Sequence, residues 1–215
     1  MSKFLVIAEK PSVAQSYAKN LSAYRREDGY LEGESGIVSW CLGHLAEYAQ
    51  PEKYDPKYEK WQFDDLPILP EVWKLKVSKD KKKQFDVLKG LMNRSDVEYL
   101  VNGCDAGREG ELIFQRVYDL AGCRKPVKRL WISSMEDAAI QKGFQTMKSE
   151  EEYKNLCMAA VCRAQADWLI GMNGTRAYTT RYFKRLWAGY RPQPLPCLQN
   201  GRRGSSISKK KRFIR

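Results

Sequence analysis

No two of the six cysteines, at positions 41, 104, 123, 157, 162 and 197, form a CxxC pair. Their spacing argues against a structural zinc ribbon and a disulfide framework alike, and fits reduced thiols in a cytoplasmic protein. No apolar run approaches the length needed to cross a bilayer, so no membrane partner is expected. The opening segment, Met1-Ser-Lys-Phe-Leu5, runs straight into a strand-like stretch and lacks the shape of a signal peptide. A GxxxxGK[ST] segment is absent, which argues against an ATPase. Histidine is scarce too. His44 is the only one, and its place after Gly43 in an apolar segment predicts a structural role.

Acid is missing from one region. Residues 181–215 hold eleven Lys or Arg and no Asp or Glu, although the whole chain carries a formal charge of +12. Residues 1–180 are left with 27 basic against 26 acidic residues. The body is nearly neutral, so any nucleic acid must be recruited there by local patches rather than by a global field. With 215 residues and 43% hydrophobic content, the chain suits one ordinary domain plus extra segments.

Patterning predicts strand 4–8, helix 12–22, strands around 30–41 and an irregular excursion over 50–70, rich in Pro, Tyr, Lys and Asp. A helix from Lys79 to Met92, strand 97–104, helix 109–121, strand 128–133 and helix 135–148 follow. A last helix spans 151–173, with Leu156, Ala160, Ala164 and Trp168 on one stripe. Alternation of this kind implies a parallel sheet covered by helices on both sides. There is no internal repeat. After Thr180 the composition becomes that of a disordered basic tail.

Charge is concentrated where strands end. The run Val97–Val101 reads as a buried strand, and Asn102-Gly-Cys-Asp-Ala-Gly-Arg-Glu-Gly-Glu-Leu-Ile-Phe114 carries it into a helix. Gly103, Gly107 and Gly110 are expected to let the backbone bend sharply there. Asp105 and Glu109 then stand at the carboxyl end of a strand, where open α/β sheets bind ligands, and suit a magnesium ion that handles phosphate. A solvated turn whose acids cap the next helix fits the same residues equally well. A second segment tips the balance. Phe4–Ala8 is a short apolar strand, and Glu9-Lys-Pro-Ser12 places an acid and a base at its end, with Pro11 suited to the first turn of a helix. Such a constellation can hold a metal and a scissile phosphate together.

These residues resemble the Toprim domain of type IA DNA topoisomerases, primases and some nucleases. Lys128-Arg-Leu-Trp-Ile-Ser-Ser-Met135 is similar to the strand that closes that domain in topoisomerase III. Arg163-Ala-Gln-Ala-Asp-Trp-Leu-Ile-Gly-Met-Asn-Gly-Thr-Arg176 resembles the helix after it, and Trp61-Gln-Phe-Asp-Asp-Leu-Pro-Ile-Leu-Pro70 another signature of the same enzymes. Four matches in order cover most of residues 1–180. The resemblance implies a Rossmann-like Toprim domain over 1–135, the start of a helical domain over 136–180 and a non-family tail over 181–215. It implies ATP-independent cleavage, passage and religation of DNA strands through a 5′-phosphotyrosine bond. Glu9 and Lys10 would be catalytic, and Glu9, Asp105 and Glu109 would hold Mg2+. Trp61, Arg163, Trp168 and Arg176 would contact DNA, mainly single-stranded.

Three departures qualify this picture. The family's Asp-x-Asp-x-Glu pattern has Gly107 at its second aspartate, which favours one ion over two; Glu111 is a weak substitute, about 200° around the helix from Glu109. None of the twelve tyrosines lies in a Tyr-Pro-Arg-Thr-like context, so the nucleophile is expected to be missing and the chain inactive alone. The Gly-Arg-Val-Gln-Thr-Pro-type motif expected after residue 180 is also absent, as in a truncated or frame-shifted reading frame; the rival is a basic arm that tracks phosphates. A stand-alone Toprim nuclease or primase-like protein, and a non-catalytic single-strand-binding stub, remain the alternative functions.

Overall fold

The computed structural model describes residues 3–183. Strand β1 (Lys3–Ala8) buries Leu5, Val6, Ile7 and Ala8 completely, as an unbroken apolar run does when both faces of a sheet are covered. It lies at the centre of a mixed sheet. Parallel to it run β4 (Gly36–Trp40) on one side and β7 (Val97–Gly103) on the other. β8 (Val127–Arg129) continues the parallel set beyond β7. Antiparallel strands close the edges: β3 (Tyr30–Glu32) and β2 (Arg25–Glu27) beside β4, and β9 (Lys148–Ser149) beside β8. The order is β2-β3-β4-β1-β7-β8-β9.

The two-residue period of β1 divides the core. Leu5 and Ile7 meet Leu88 and Met92 of α2 (Lys82–Met92) with Ile113, Phe114 and Val117 of α3 (Arg108–Ala121). Val6 and Ala8 face the opposite layer, with Ala14 and Tyr17 of α1 (Pro11–Asn20) and Ile140 of α4 (Asp137–Gln145). The expected α/β sandwich is what forms.

Boundaries differ where neighbours end. The strand expected over 128–133 stops at Arg129, because β7 ends at Gly103 and no ladder remains to extend. The helix expected over 135–148 covers only Asp137–Gln145, since Lys148–Ser149 pairs with β8. The last helix, α5 (Lys154–Tyr178), runs past both Gly171 and Gly174. Its C-terminal residues Asn173 and Arg176 are bonded to the 50–70 excursion, and such tertiary contacts override weak local propensity.

That excursion is irregular, as expected, with three short 3-10 turns at Pro51–Lys53, Pro56–Glu59 and Phe63–Asp65. A ribbon of β5 (Ala46–Tyr48) and β6 (Leu75–Val77) closes its base. A third apolar cluster of Tyr48, Ile68 and Trp168, with Tyr54 and Trp73 against it, fastens it to α5. Among the described residues no helix is long and apolar enough to cross a membrane. The tail expected to be disordered lies, from residue 184 onward, outside the described residues.

Candidate metal and phosphate site

Sheet register assembles the site. Ala8 pairs with Trp40 on one side and Gly103 on the other, so Glu9, Cys41 and Cys104 come level at the carboxyl edge. The chain builds outward from β1 first towards β4 and then towards β7 and β8, so the order reverses beside β1. Open α/β sheets bind ligands in the crevice at such a switch point. Glu9 is 7% exposed there, and its Oε2 is buried without a hydrogen-bond partner. Lys10 reaches across the crevice. Its Nζ lies 3.2 Å from Glu9 Oε1 and 3.5 Å from Asp105 Oδ2. The hydrogen bond and charge of Glu9, then the charge of Asp105, raise the Lys10 pKa, so it stays an ammonium.

The acidic turn is shaped by one glycine more than by three. A Cβ on Gly110 would sit 2.1 Å from the Asp105 carbonyl oxygen, so only glycine lets α3 start this close beneath the turn. Gly107 is different. Its φ of 161° is extended backbone that any residue adopts, and a Cβ there would meet nothing within 4 Å. The sharp bend expected from Gly103, Gly107 and Gly110 is not made by left-handed backbone, since none of the three has a positive φ in that region. An aspartate would fit at 107; the missing carboxylate is not a steric matter.

Glu109 does not join Glu9 and Asp105. Its Oε1 contacts His44 Nε2 instead. Gly43, at φ +67°, turns the chain after β4 to bring His44 there, and Lys81 Nζ donates to the His44 carbonyl at 2.9 Å. His44 Nδ1 is buried without a partner. The lone histidine therefore sits at the mouth of the site, where the sequence suggested only a structural residue.

Beneath the turn lies a group that the sequence did not single out. Arg129, 1% exposed, ends β8 and donates from Nε to Glu111 Oε1 at 2.6 Å. Its Nη1 donates to the carbonyls of Asn102, Cys104 and Leu130, and its Nη2 to that of Asp105, all at 2.8–2.9 Å. Asn102 also donates to Glu111 Oε2 at 3.2 Å. Glu111 is thus committed to Arg129 and Asn102 inside the core, pointing away from Glu109's side as the helical angle requires. The only hint in the sequence was an arginine followed by apolar residues inside the expected strand 128–133.

The remaining candidates gather on α5 and the excursion. Trp168 is 6% exposed, and its indole N–H donates to the Ala49 carbonyl at 3.1 Å; stacking on a base would require it to leave this cluster. Arg176 is 4% exposed and donates to the Tyr58 carbonyl at 2.7 Å. Its guanidinium carbon lies 4.9 Å from the Trp61 ring centroid, so these two candidates do meet. Burial lowers the Arg176 pKa. Arg163 lies on the exposed side of α5, 3.9 Å from Asp167.

The donor set fits a magnesium ion bound through few protein groups. Among the described residues no three His, Cys, Asp or Glu side chains form a metal cage. Mg2+ instead takes one or two carboxylates and keeps several waters. Glu9, with an orphaned buried oxygen, and the exposed Asp105 meet that need. An α/β module with an acid–lysine mouth and an acidic turn at its switch point is the kind that holds a divalent ion against phosphate.

Residues 4–135 match the Toprim domain family, and the chain belongs to it. The chain is 49% identical over 189 residues to DNA topoisomerase 3 of Bacillus subtilis (strain 168). It is 51% identical over the same length to DNA topoisomerase 3 of Bacillus cereus (strain ATCC 14579). Each alignment takes in 88% of this chain, which spans about a quarter (26%) of the length of these curated relatives. The full-length topoisomerase I of Thermotoga maritima shares the fold, with a TM-score of 0.55 and 18% identity over 81% of this chain and 26% of that one.

Proposed function

We propose that this chain is the Toprim portion of a type IA, topoisomerase III-like machinery that holds Mg2+ beside a DNA phosphate. The observation that carries the proposal is the pairing of Glu9 and Asp105 through Lys10 at the strand-order reversal. Sequence identity of about half to topoisomerases named DNA topoisomerase 3 supports the subclass. The division at residue 135 belongs to the same proposal. The family match ending there supports it, although beyond it α4 still packs on the sheet through Ile140 and β9 adds the sheet's last strand.

When bound, Mg2+ would neutralise phosphate charge and order water at the mouth. Glu9 and Asp105 would hold it, with Glu109 a third ligand once freed from His44, and with Gly107 leaving a single ion. Lys10, placed between Glu9 and Asp105, would set its ammonium against the scissile phosphate. Glu9, held at the buried end of β1, stands where it can move a proton at the leaving 3′-oxygen. Trp61 offers an aromatic surface to bases of single-stranded DNA, and Arg163 an exposed guanidinium. ATP has no part, and the cytoplasm is the compartment.

None of the twelve tyrosines lies in a Tyr-Pro-Arg-Thr-like context, which supports the further proposal that the chain by itself forms no covalent adduct. Two measurements test this. Calorimetric titration with MgCl2 gives one site, lost in Glu9→Gln and Asp105→Asn; unchanged binding in both variants refutes the site. Denaturing gels with labelled single-stranded DNA show no adduct; a trapped adduct refutes the missing nucleophile. Mg2+-dependent nicking abolished by Glu9→Gln would instead identify a stand-alone nuclease.

A further inference from the structure

We propose that Arg176 is a positioning residue that backs Trp61 as a stacking platform for single-stranded nucleic acid, and does not itself contact phosphate. This rests on the nucleic-acid role proposed above, and it reassigns one of the residues expected to touch DNA.

A phosphate contact needs an accessible guanidinium fork. Arg176 is too enclosed to present one in place. It is 4% exposed, its Nη1 is spent on the Tyr58 carbonyl, and its planar group lies over the Trp61 ring. Its Nε is buried without a hydrogen-bond partner. To reach a phosphate it would have to abandon both the carbonyl and the ring.

Neighbours on α5 act in the same way. Trp168 donates to the Ala49 carbonyl at 3.1 Å. Asn173 grips Ile68 twice, accepting from its N–H at 2.6 Å and donating to its carbonyl at 3.1 Å. The helix thus holds the backbone of the excursion at residues 49, 58 and 68, on both sides of Trp61. An excursion made of short 3-10 turns has little internal structure to fix a ring's orientation. The clamp supplies it. Arg176 is the one member that touches both the backbone and the ring, and Trp61 stays only half-buried over it. The attraction between a guanidinium and an aromatic face holds the ring in place.

The test is binding of fluorescein-labelled oligo-dT to the full chain, read by anisotropy over a series of salt concentrations. Trp61→Ala, Arg176→Gln, Arg176→Lys and the Trp61→Ala/Arg176→Gln pair are compared, with circular dichroism to confirm folding. Loss of a stacking platform weakens single-strand binding by about 5- to 150-fold. Each single variant is expected to fall in that range, and the double variant to be no weaker than its weaker parent. The slope of log affinity against log salt stays that of wild type throughout. Arg176→Lys behaves as Arg176→Gln does, because an ammonium keeps the charge and loses the planar fork.

A slope shallower by about 0.7 in Arg176→Gln marks one lost phosphate contact and overturns the proposal. So does multiplication of the two single losses in the double variant, or near wild-type affinity in Arg176→Lys. Should Arg176→Gln fail to fold, the Arg176→Lys arm decides alone. Wild-type protein that does not bind the oligonucleotide refutes the nucleic-acid role itself, a result distinct from the others.

Discussion

Replacing Arg129 by methionine should unfold the acidic turn from below. The guanidinium is fully enclosed, with its side chain at 0% exposure and that of Glu111 at 1%. Methionine fills most of its volume but donates nothing. Glu111 is then left with Asn102 alone at 3.2 Å, and the carbonyls of Asn102, Cys104, Asp105 and Leu130 lose the donor they share. Removing one partner of a buried ion pair costs about 3–5 kcal/mol, chiefly because the other charge is stranded. Against a total stability of about 5–15 kcal/mol this is a large fraction. For a domain of this size each kcal/mol shifts Tm by about 2–4 °C, so a fall of about 6–20 °C is expected. Thermal melts by circular dichroism measure it. The double variant Arg129→Met/Glu111→Met should melt above Arg129→Met, since no carboxylate is stranded in it. Titration with Mn2+, followed by the ion's electron paramagnetic resonance signal, should show weaker binding in both, because the Asp105 carbonyl is no longer tied down. A melting point within about 2 °C of wild type for Arg129→Met, with unchanged Mn2+ affinity, refutes the reasoning.

The two turn glycines should respond in opposite ways. Gly110→Ala, whose Cβ would stand 2.1 Å from the Asp105 carbonyl oxygen, should cost about 1–3 kcal/mol or more in urea unfolding and weaken Mn2+ binding. Gly107→Asp enters open space, should change stability by no more than about 0.5 kcal/mol, and should add a second ion in a calorimetric titration. Burial, with Glu111, Glu151 and Asp119 nearby, raises the Glu150 pKa to about 7. A raised carboxyl favours the fold while protonated, so its contribution is full below about 4.5 and is lost as pH rises through about 7. Urea midpoints should therefore drop between pH 5 and 8 in wild type and drop less in Glu150→Gln. Glu32 has the opposite sign. Burial opposes its ionisation, but hydrogen bonds from Arg94 and Lys3 outweigh burial and hold its pKa at about 2. Its contribution is present above about 4.5 and is lost as pH falls towards 2. Glu32→Gln should lower Tm at pH 7 and leave it near wild type at pH 2.

Long apolar runs were the legible part of the fold. Phe4–Ala8 announces a central strand because both faces are covered, Val97–Val101 does so although Glu98 within it is exposed, and Pro11 marks the start of α1. The end of β8 and the length of α5 were not legible in this way. Both depend on what lies alongside: β7 stops beside the first, and the excursion grips the second. Within the site, Glu9, Lys10 and Asp105 were identifiable from their places at strand ends. His44 was not, since nothing local to Gly43-His44 says that Glu109 lies across the crevice. Glu111 and Glu109 are two positions apart and look alike in sequence, yet one is buried on Arg129 and the other stands at the mouth.

By itself the sequence determined the α/β class, the order of the main elements and the acids at two strand ends. These follow from local periodicity and from the rule that strand ends, where the chain must turn, carry the polar groups. Only the tertiary structure decided what each of those groups faces. Sheet register puts Glu9 between Cys41 and Cys104, α3 packing requires Gly110 and leaves room for a Cβ at Gly107, and the clamp on α5 hides Trp168 and Arg176. Contacts between residues up to 119 positions apart, such as Trp168 to Ala49, depend on the closed packing of the whole chain, and no window of sequence contains both partners.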